Sequence, residues 1–383
     1  MRAPRGISTE LAEPVPEADR VEGAPHPRDT PRLYGQARAE AGFLEAFATG
    51  RLHHGWMLTG PRGVGKATLA WRIARFLLAT PEAEEDGFFG APPPPTSLDI
   101  PADHPVARRM HSLSESRLFL LRRPWDEEKS RLRAVIGVDE VRRLKSFFNF
   151  SSADGGRRVA IIDAADEMNP NAANALLKLL EEPPAGATLL MVSHQPSSLL
   201  PTIRSRVREL RLGTLSAEDM AAALAQAGTE TTHAAALAEL SAGSVGEAIR
   251  LVNLDGLKAY TQMVDLFAGM PRLDRIRALQ LADSAAGRGS EGRLDVLLTL
   301  FDLFLARLAR AGVAGPPRVE AAPGEAQLFA RLAPTPAAGR LWAQRQQDLG
   351  ARARHGRAVN LDPAALLMDM VLQVNETAAR LAA

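Results

Sequence analysis

The sequence predicts an α/β protein whose first part is a phosphate-binding core on a parallel sheet, with helices occupying the rest of the chain. Three observations predict it. Gly60 to Lys66 (GPRGVGK) joins an apolar strand to a helix. Val159 to Val207 reads as strand, acidic tip, capped helix, strand and exposed arginine. Beyond Gly256 the pattern is helical almost throughout. With 383 residues there is chain enough for two or three domains, each able to bury a core.

Composition narrows the function classes. Forty-six Lys and Arg against forty-five Asp and Glu leave a net charge of +1, so no global field draws the chain to nucleic acid, and any DNA contact must be local or shared with partners. There is no cysteine, which excludes disulfides, thiol nucleophiles and thiolate zinc sites. The most apolar stretch, Val296 to Leu308, is interrupted by Asp302 and Arg307 and reads as a packed helix, too short and charged to span a bilayer. The N-terminus carries no apolar signal core, so a cytoplasmic protein is expected, with no membrane partner.

Residues 1 to about 30 mix proline, alanine and both charges without apolar periodicity and are expected to form a disordered tail. From Leu33 a helix follows, then the strand Trp56 to Leu58. In the next loop the glycines let backbone N–H groups turn inward around phosphate oxygens. The N-terminus of the helix Ala67 to Leu78 adds its positive end, and the Lys66 ammonium reaches the outer phosphates. Gly60, Gly63, Val64, Gly65 and Lys66 are therefore candidate nucleotide-binding residues; a glycine-rich turn with a surface lysine is the plainer alternative. The pattern calls for Ser or Thr directly after the lysine to hold Mg²⁺, and Ala67 stands there. Thr68 is one position late, turned by about 100° on the helix.

Pro81 to Pro105 is proline-rich and reads as an irregular surface excursion, with His104 and His111 as ordinary surface histidines. Leu118 to Leu121 reads as a strand. Val138 to Phe148 reads as a helix whose Arg142, Arg143 and Lys145 either meet phosphate backbone or form a solvated face. Val159 to Ile162 is a buried parallel strand ending on Asp163, where a carboxylate faces a ligand. Asp166 and Glu167 lie past the strand tip and read as capping the following turn. Asn169 and Pro170 are N-cap and first residue of a helix that Pro183 and Pro184 stop. Leu189 to Ser193 is a second buried strand, and Ser205-Arg206 precedes the strand-like run Val207 to Leu212. Ser216 and Ser244 read as helix starts. A Pro/Ala/Gly break runs from about Gly312 to Gly324, and Asp362-Pro363 opens a last helix with Leu366, Leu367, Met370, Val371 and Val374 on one stripe.

Read together, the loop Gly60 to Lys66, the run Asn171 to Pro184 (NAANALLKLLEEPP) and Ser205-Arg206-Val207 resemble the bacterial clamp-loader subunits of the AAA+ class. The resemblance implies a P-loop α/β core over residues 31–212, a helical lid over 213–255 and an all-helical collar that holds a ring together over 256–383, after a tail at 1–30. It implies that the Gly35-Gln36 pair lies near the adenine edge and that Ser193 is a sensor near the γ-phosphate. Arg206, next to Ser205, would be a finger that reaches the neighbouring subunit's nucleotide; a solvated edge formed by Arg204, Arg206 and Arg208 is the alternative. In hydrolysing members an acidic pair ends the strand and an arginine opens the last lid helix. Here Ala164 follows Asp163, and Gly246 takes the arginine's place. With Ala67, these gaps imply a subunit that binds ATP weakly or as a structural ligand and hydrolyses little, Mg²⁺ being left open and zinc excluded. The implied partners are tau/gamma and delta subunits in a hetero-pentamer, with the sliding clamp and primed DNA reached through the complex. A self-sufficient ATPase motor, of the tau/gamma or a repair type, is the competing reading. It would need Thr68 and Asp166 or Glu167 to serve from displaced positions.

Overall fold

The computed structural model describes residues 16–21, 23–50, 52–81, 93–149, 156–286 and 291–382. Helix α1 (Ala37–Ala48) leads to strand β1 (Gly55–Thr59), the phosphate loop and α2 (Lys66–Ala79). Then come α3 (Pro105–His111), β2 (Leu118–Arg122), the short hairpin β3 (Trp125–Asp126) and β4 (Arg131–Leu132), α4 (Val138–Asn149) and β5 (Arg158–Asp163). The core closes with α5 (Pro170–Glu181), β6 (Ala187–Val192), α6 (Pro201–Arg204) and β7 (Arg208–Arg211). The remainder is helical: α7 (Ala217–Gln226), α8 (Ala234–Leu240), α9 (Val245–Asn253), α10 (Gly256–Ala268), α11 (Arg275–Asp283), α12 (Glu291–Ala314), α13 (Glu325–Leu332), α14 (Pro336–Ala358) and α15 (Pro363–Ala382).

Five strands make one parallel sheet in the order β2-β5-β6-β1-β7. Its inner strands are buried on both faces, β1 and β6 along their whole length, as a sheet covered by helices on each side requires. Met57, Leu144, Ile162, Leu176 and Met191 form the core on one face, with α4 and α5 outside it. On the other face Leu58, Leu69, Ile73 and Leu190 begin a core that runs on through the lid helices into the C-terminal bundle. The α/β core with a helical C-terminal region is thus the architecture of the chain.

Local chemistry places the elements where the sequence puts them. The Asn169 side chain accepts from the N–H of Ala172 at 2.8 Å and Pro170 opens α5. Ser216 and Ser244 cap α7 and α9, and the Asp362 carboxylate accepts from the N–H of Ala365 at 2.8 Å as α15 begins. The hairpin β3–β4 was not foreseen; its strands are too short to carry a periodic signal.

The expected tail needs correction. Residues 1–15 lie outside the described residues, but from residue 16 the segment packs against the core, and His26 is buried on Trp71. The reason is charge pairing, which an apolar-periodicity argument does not register. Glu17 pairs with Arg28 at 2.7 Å and Arg122 at 3.0 Å, and Asp19 pairs with Arg122 at 2.6 Å and His26 at 3.1 Å. The end of the proline-rich stretch is likewise packed: Leu98 is buried and Asp99 meets Arg72 at 2.8 Å, while residues 82–92 lie outside the described residues.

Candidate nucleotide site

The carboxyl ends of β1, β5 and β6 open on a cavity of about 340 Å³ between the phosphate loop, the lid and the N-terminal segment. Ligands of open parallel sheets sit at this edge. Gly63, Val64, Gly65, Lys66 and Asp163 line it. Gly63 and Gly65 hold positive φ, and a Cβ on Gly63 would stand 2.1 Å from Ser244 Oγ. Gly60 does not line the cavity. Its φ of 138° and the 2.4 Å from a built Cβ to the Leu212 carbonyl oxygen make its glycine a packing requirement.

Lys66 does not point freely into the cavity: its Nζ donates to the carbonyls of Gly60 at 2.7 Å and Pro61 at 2.5 Å. Burial takes the ammonium down to about 8, with Arg62 adding to the effect and the Asp163 and Asp166 carboxylates opposing it. Asp163 is pushed the other way, up to about 7, by burial and by the neighbouring carboxylates of Asp19 and Glu167, which outweigh Lys66 and Arg62. Ala164, next along, is buried and has no group to offer. Thr68 lines the cavity one residue beyond Ala67. Asp166 is bound by the N–H of His194 at 2.9 Å, and Glu167 pairs with Arg123 at 2.7 Å and Arg62 at 3.5 Å.

The loop's amides and lysine suit phosphate oxygens. The donor set does not suit Mg²⁺: Ala67 supplies no hydroxyl, and a carboxyl near 7 is only partly charged at neutral pH. Among the described residues no cluster of three His, Asp or Glu could hold a metal.

Ser193 lies in the wall rather than on the cavity surface. Its Oγ is buried without a protein hydrogen-bond partner, and its neighbours Val192 and His194 are the residues from this strand end that face the space. Burial, with Lys66 and Arg62, lowers His194 to about 4, so its imidazole is neutral. Sequence reasoning passed over His194, and nothing in its spacing singles it out. Gln36 gains a definite role. It donates to the carbonyls of Val64 at 3.2 Å and Gly213 at 2.8 Å and accepts from the N–H of Gly213 at 3.0 Å, tying the loop to the strand that leads into the lid. Gly246 lies against the loop: the N–H groups of Val245 and Gly246 donate to the Gly63 carbonyl at 3.0 and 3.4 Å.

Arg206 and Ser205 stand outside the cavity, after α6. Arg204 ends that helix and only Arg208 belongs to β7, so the three arginines do not share a strand face. The Arg206 side chain is 37% exposed, pairs with Glu181 at 3.0 Å and donates to the carbonyl of Thr202 at 3.0 Å.

With this geometry in view, comparison with known proteins bears on the core. Residues 35–216 match the family described as DNA polymerase III, delta subunit. A DNA polymerase III subunit delta' of Pseudomonas aeruginosa is 35% identical over 237 residues, 60% of this chain and 65% of that protein. Over residues 35–216 the chain is thus similar to subunits of DNA polymerase III, delta and delta-prime among them. The corresponding subunit of Escherichia coli is 27% identical over 217 residues, covering 56% of this chain and 59% of its own length. A DNA polymerase III subunit gamma/tau of Mycobacterium tuberculosis is 28% identical over 207 residues, 52% of this chain and 31% of that protein. The matches thus span less than two thirds of the length of these relatives. No helix among the described residues is long and apolar enough to cross a membrane.

Proposed function

We propose that the chain is a largely non-hydrolysing clamp-loader subunit of the delta-prime kind. In this reading, residues 31–212 are the AAA+ core, 213–255 the lid and 256–383 the collar. It works in the cytoplasm within a hetero-pentamer with tau/gamma and delta subunits, acting on the sliding clamp and primed DNA through the complex. The observation that carries the reading is a phosphate cradle without the groups that split phosphates. Gly63, Gly65 and Lys66 are in place, while Ala67, Ala164 and Gly246 replace the metal hydroxyl, the water-polarising acid and the sensing arginine. Phosphoryl transfer depends on placed charge, so losing these groups removes orders of magnitude in rate. ATP or ADP is then held weakly or as a structural ligand.

The chain's chemical contribution is Arg206, offered to a neighbour's nucleotide. Its guanidinium is partly exposed and held by Glu181, the Thr202 carbonyl and the Ser205 hydroxyl, contacts that a phosphate oxygen can replace. In a reconstituted loader, Arg206→Ala is expected to slow DNA-stimulated ATP hydrolysis by the adjacent subunit by about 10³-fold or more, with assembly intact. Unchanged hydrolysis and clamp loading would exclude the finger role. Turnover by the purified chain alone, with and without primed DNA, tests the other half: a rate like that of a gamma/tau motor would favour the self-sufficient ATPase.

A further inference from the structure

Residues Ala18 to Val21 lie upstream of the family match, which begins at residue 35, yet they form one wall of the cavity that the phosphate loop lines. Val21 and Asp19 locate them at its phosphate end. A Cβ built on Gly246 would stand 3.3 Å from Val21 Cγ2 and 3.5 Å from Gly63 Cα, so Val21 sits between the lid's missing arginine and the loop. Asp19 lines the cavity together with Asp163, whose proton its charge helps to hold. Downstream, Leu33 Cδ1 would be 2.5 Å from a Cβ on Gly65, so the same segment presses on the loop again as it enters the core.

A clasp fastens this wall. Arg122, at the end of β2, takes Asp19 at 2.6 Å and Glu17 at 3.0 Å. His26 accepts from the N–H of Arg28 at Nδ1, 3.0 Å, which leaves Nε2 to carry its proton toward Asp19 at 3.1 Å and Glu17 at 3.6 Å. The Asp19 side chain is 4% exposed, so a buried anion is held where a nucleotide would bring its own negative charge.

We propose that Ala18 to Val21, through the Asp19 carboxylate, are a resident, anionic occupant of the phosphate end of this pocket, released only when the clasp of Glu17 and Asp19 with Arg122 and His26 opens, and that nucleotide and segment exclude each other. This rests on reading the pocket as a nucleotide site. Two features favour exclusion over coexistence. Polyphosphate beside the Asp19 carboxylate would meet like charge in a poorly solvated space. Lys66, the cation that would offset it, is spent on the carbonyls of Gly60 and Pro61.

The test uses the full chain, wild type beside Glu17→Ala/Asp19→Ala and, separately, Arg122→Gln, with amide hydrogen exchange and calorimetric titration of ADP. Opening the clasp is expected to speed exchange in peptides covering residues 16–21 and 61–68 together, and to tighten ADP binding about tenfold or more, because a larger fraction of molecules is competent. In the wild type, saturating ADP is expected to speed exchange at 16–21 while protecting 61–68. This arm needs no variant to fold. Faster exchange at 16–21 with 61–68 and ADP affinity unchanged would overturn the proposal, as would ADP binding to the wild type without exposing 16–21. If 61–68 opens in both variants but ADP binds to neither, the segment is still the occupant and the nucleotide reading is what fails.

Discussion

At the scale of single residues, Asp163 shows how a motif position can keep its identity and change its chemistry. Its folded value near 7 lies far above the 3.8 of a free side chain, so the folded state holds a proton that the unfolded chain releases between those values. Stability from this group is therefore lost as pH rises from about 4 to 7, up to roughly 4 kcal/mol. Asp163→Asn is expected to raise the melting temperature at pH 8 and to leave it little changed near pH 4, as thermal melts at both values would measure. Asp19 has the opposite sign. Burial raises it, but the hydrogen bond from His26 and the charge of Arg122 prevail and take it down to about 2. Its contribution is present above about 4 and is lost as pH falls toward 2, so an acid limb in the wild-type profile should shrink in Asp19→Asn.

At the scale of elements, helix packing is as specific as any side-chain pair. The long helices α12 and α14 cross where a Cβ on Gly312 would stand 2.7 Å from Gly339 Cα, and one on Gly339 would stand 2.7 Å from the Ala309 carbonyl oxygen. Both neighbours are backbone, so neither helix can yield by turning a side chain. Gly339→Val is expected to cost about 3 kcal/mol, near the upper end for overpacked sites, seen as a lower urea midpoint. Gly256, which opens α10, is crowded by Leu251, whose Cδ2 can move but whose Cα, 3.1 Å from a built Cβ, is backbone.

At the scale of the whole molecule, one buried network ties the lid to the C-terminal helices. Arg307 on α12 binds Glu325 at 2.8 and 3.0 Å and Glu239 of the lid helix α8 at 2.6 Å, and Tyr260 donates to Glu325 at 2.5 Å. Burial and the Glu325 charge raise the Tyr260 phenol, and Glu325 holds Arg307 charged against its own burial. The Glu325 side chain is fully buried, so Arg307→Met leaves a stranded carboxylate and is expected to cost about 3 to 5 kcal/mol in denaturant unfolding. Changing Arg307 and Glu325 together to apolar residues of similar size should recover much of that loss.

Much of this fold is legible from local rules. The strands ending at Thr59 and Asp163, the capped starts at Asn169, Ser216, Ser244 and Asp362, and the loop at Gly63 to Lys66 each follow from a few neighbouring residues, because caps, turns and periodicity act within one or two turns of chain. The absence of cysteine and the alanine at 67 and 164 are equally plain in one dimension. Tertiary structure alone decided that the segment from Glu17 reaches Arg122, more than a hundred residues on, that Lys66 bends back to its own loop, that Ser193 gives way to His194 at the cavity and that Arg206 rests on Glu181. These are encounters between charges and polar groups distant in sequence, and neither hydrophobic period nor motif spacing records which of many possible partners the folded chain brings within reach.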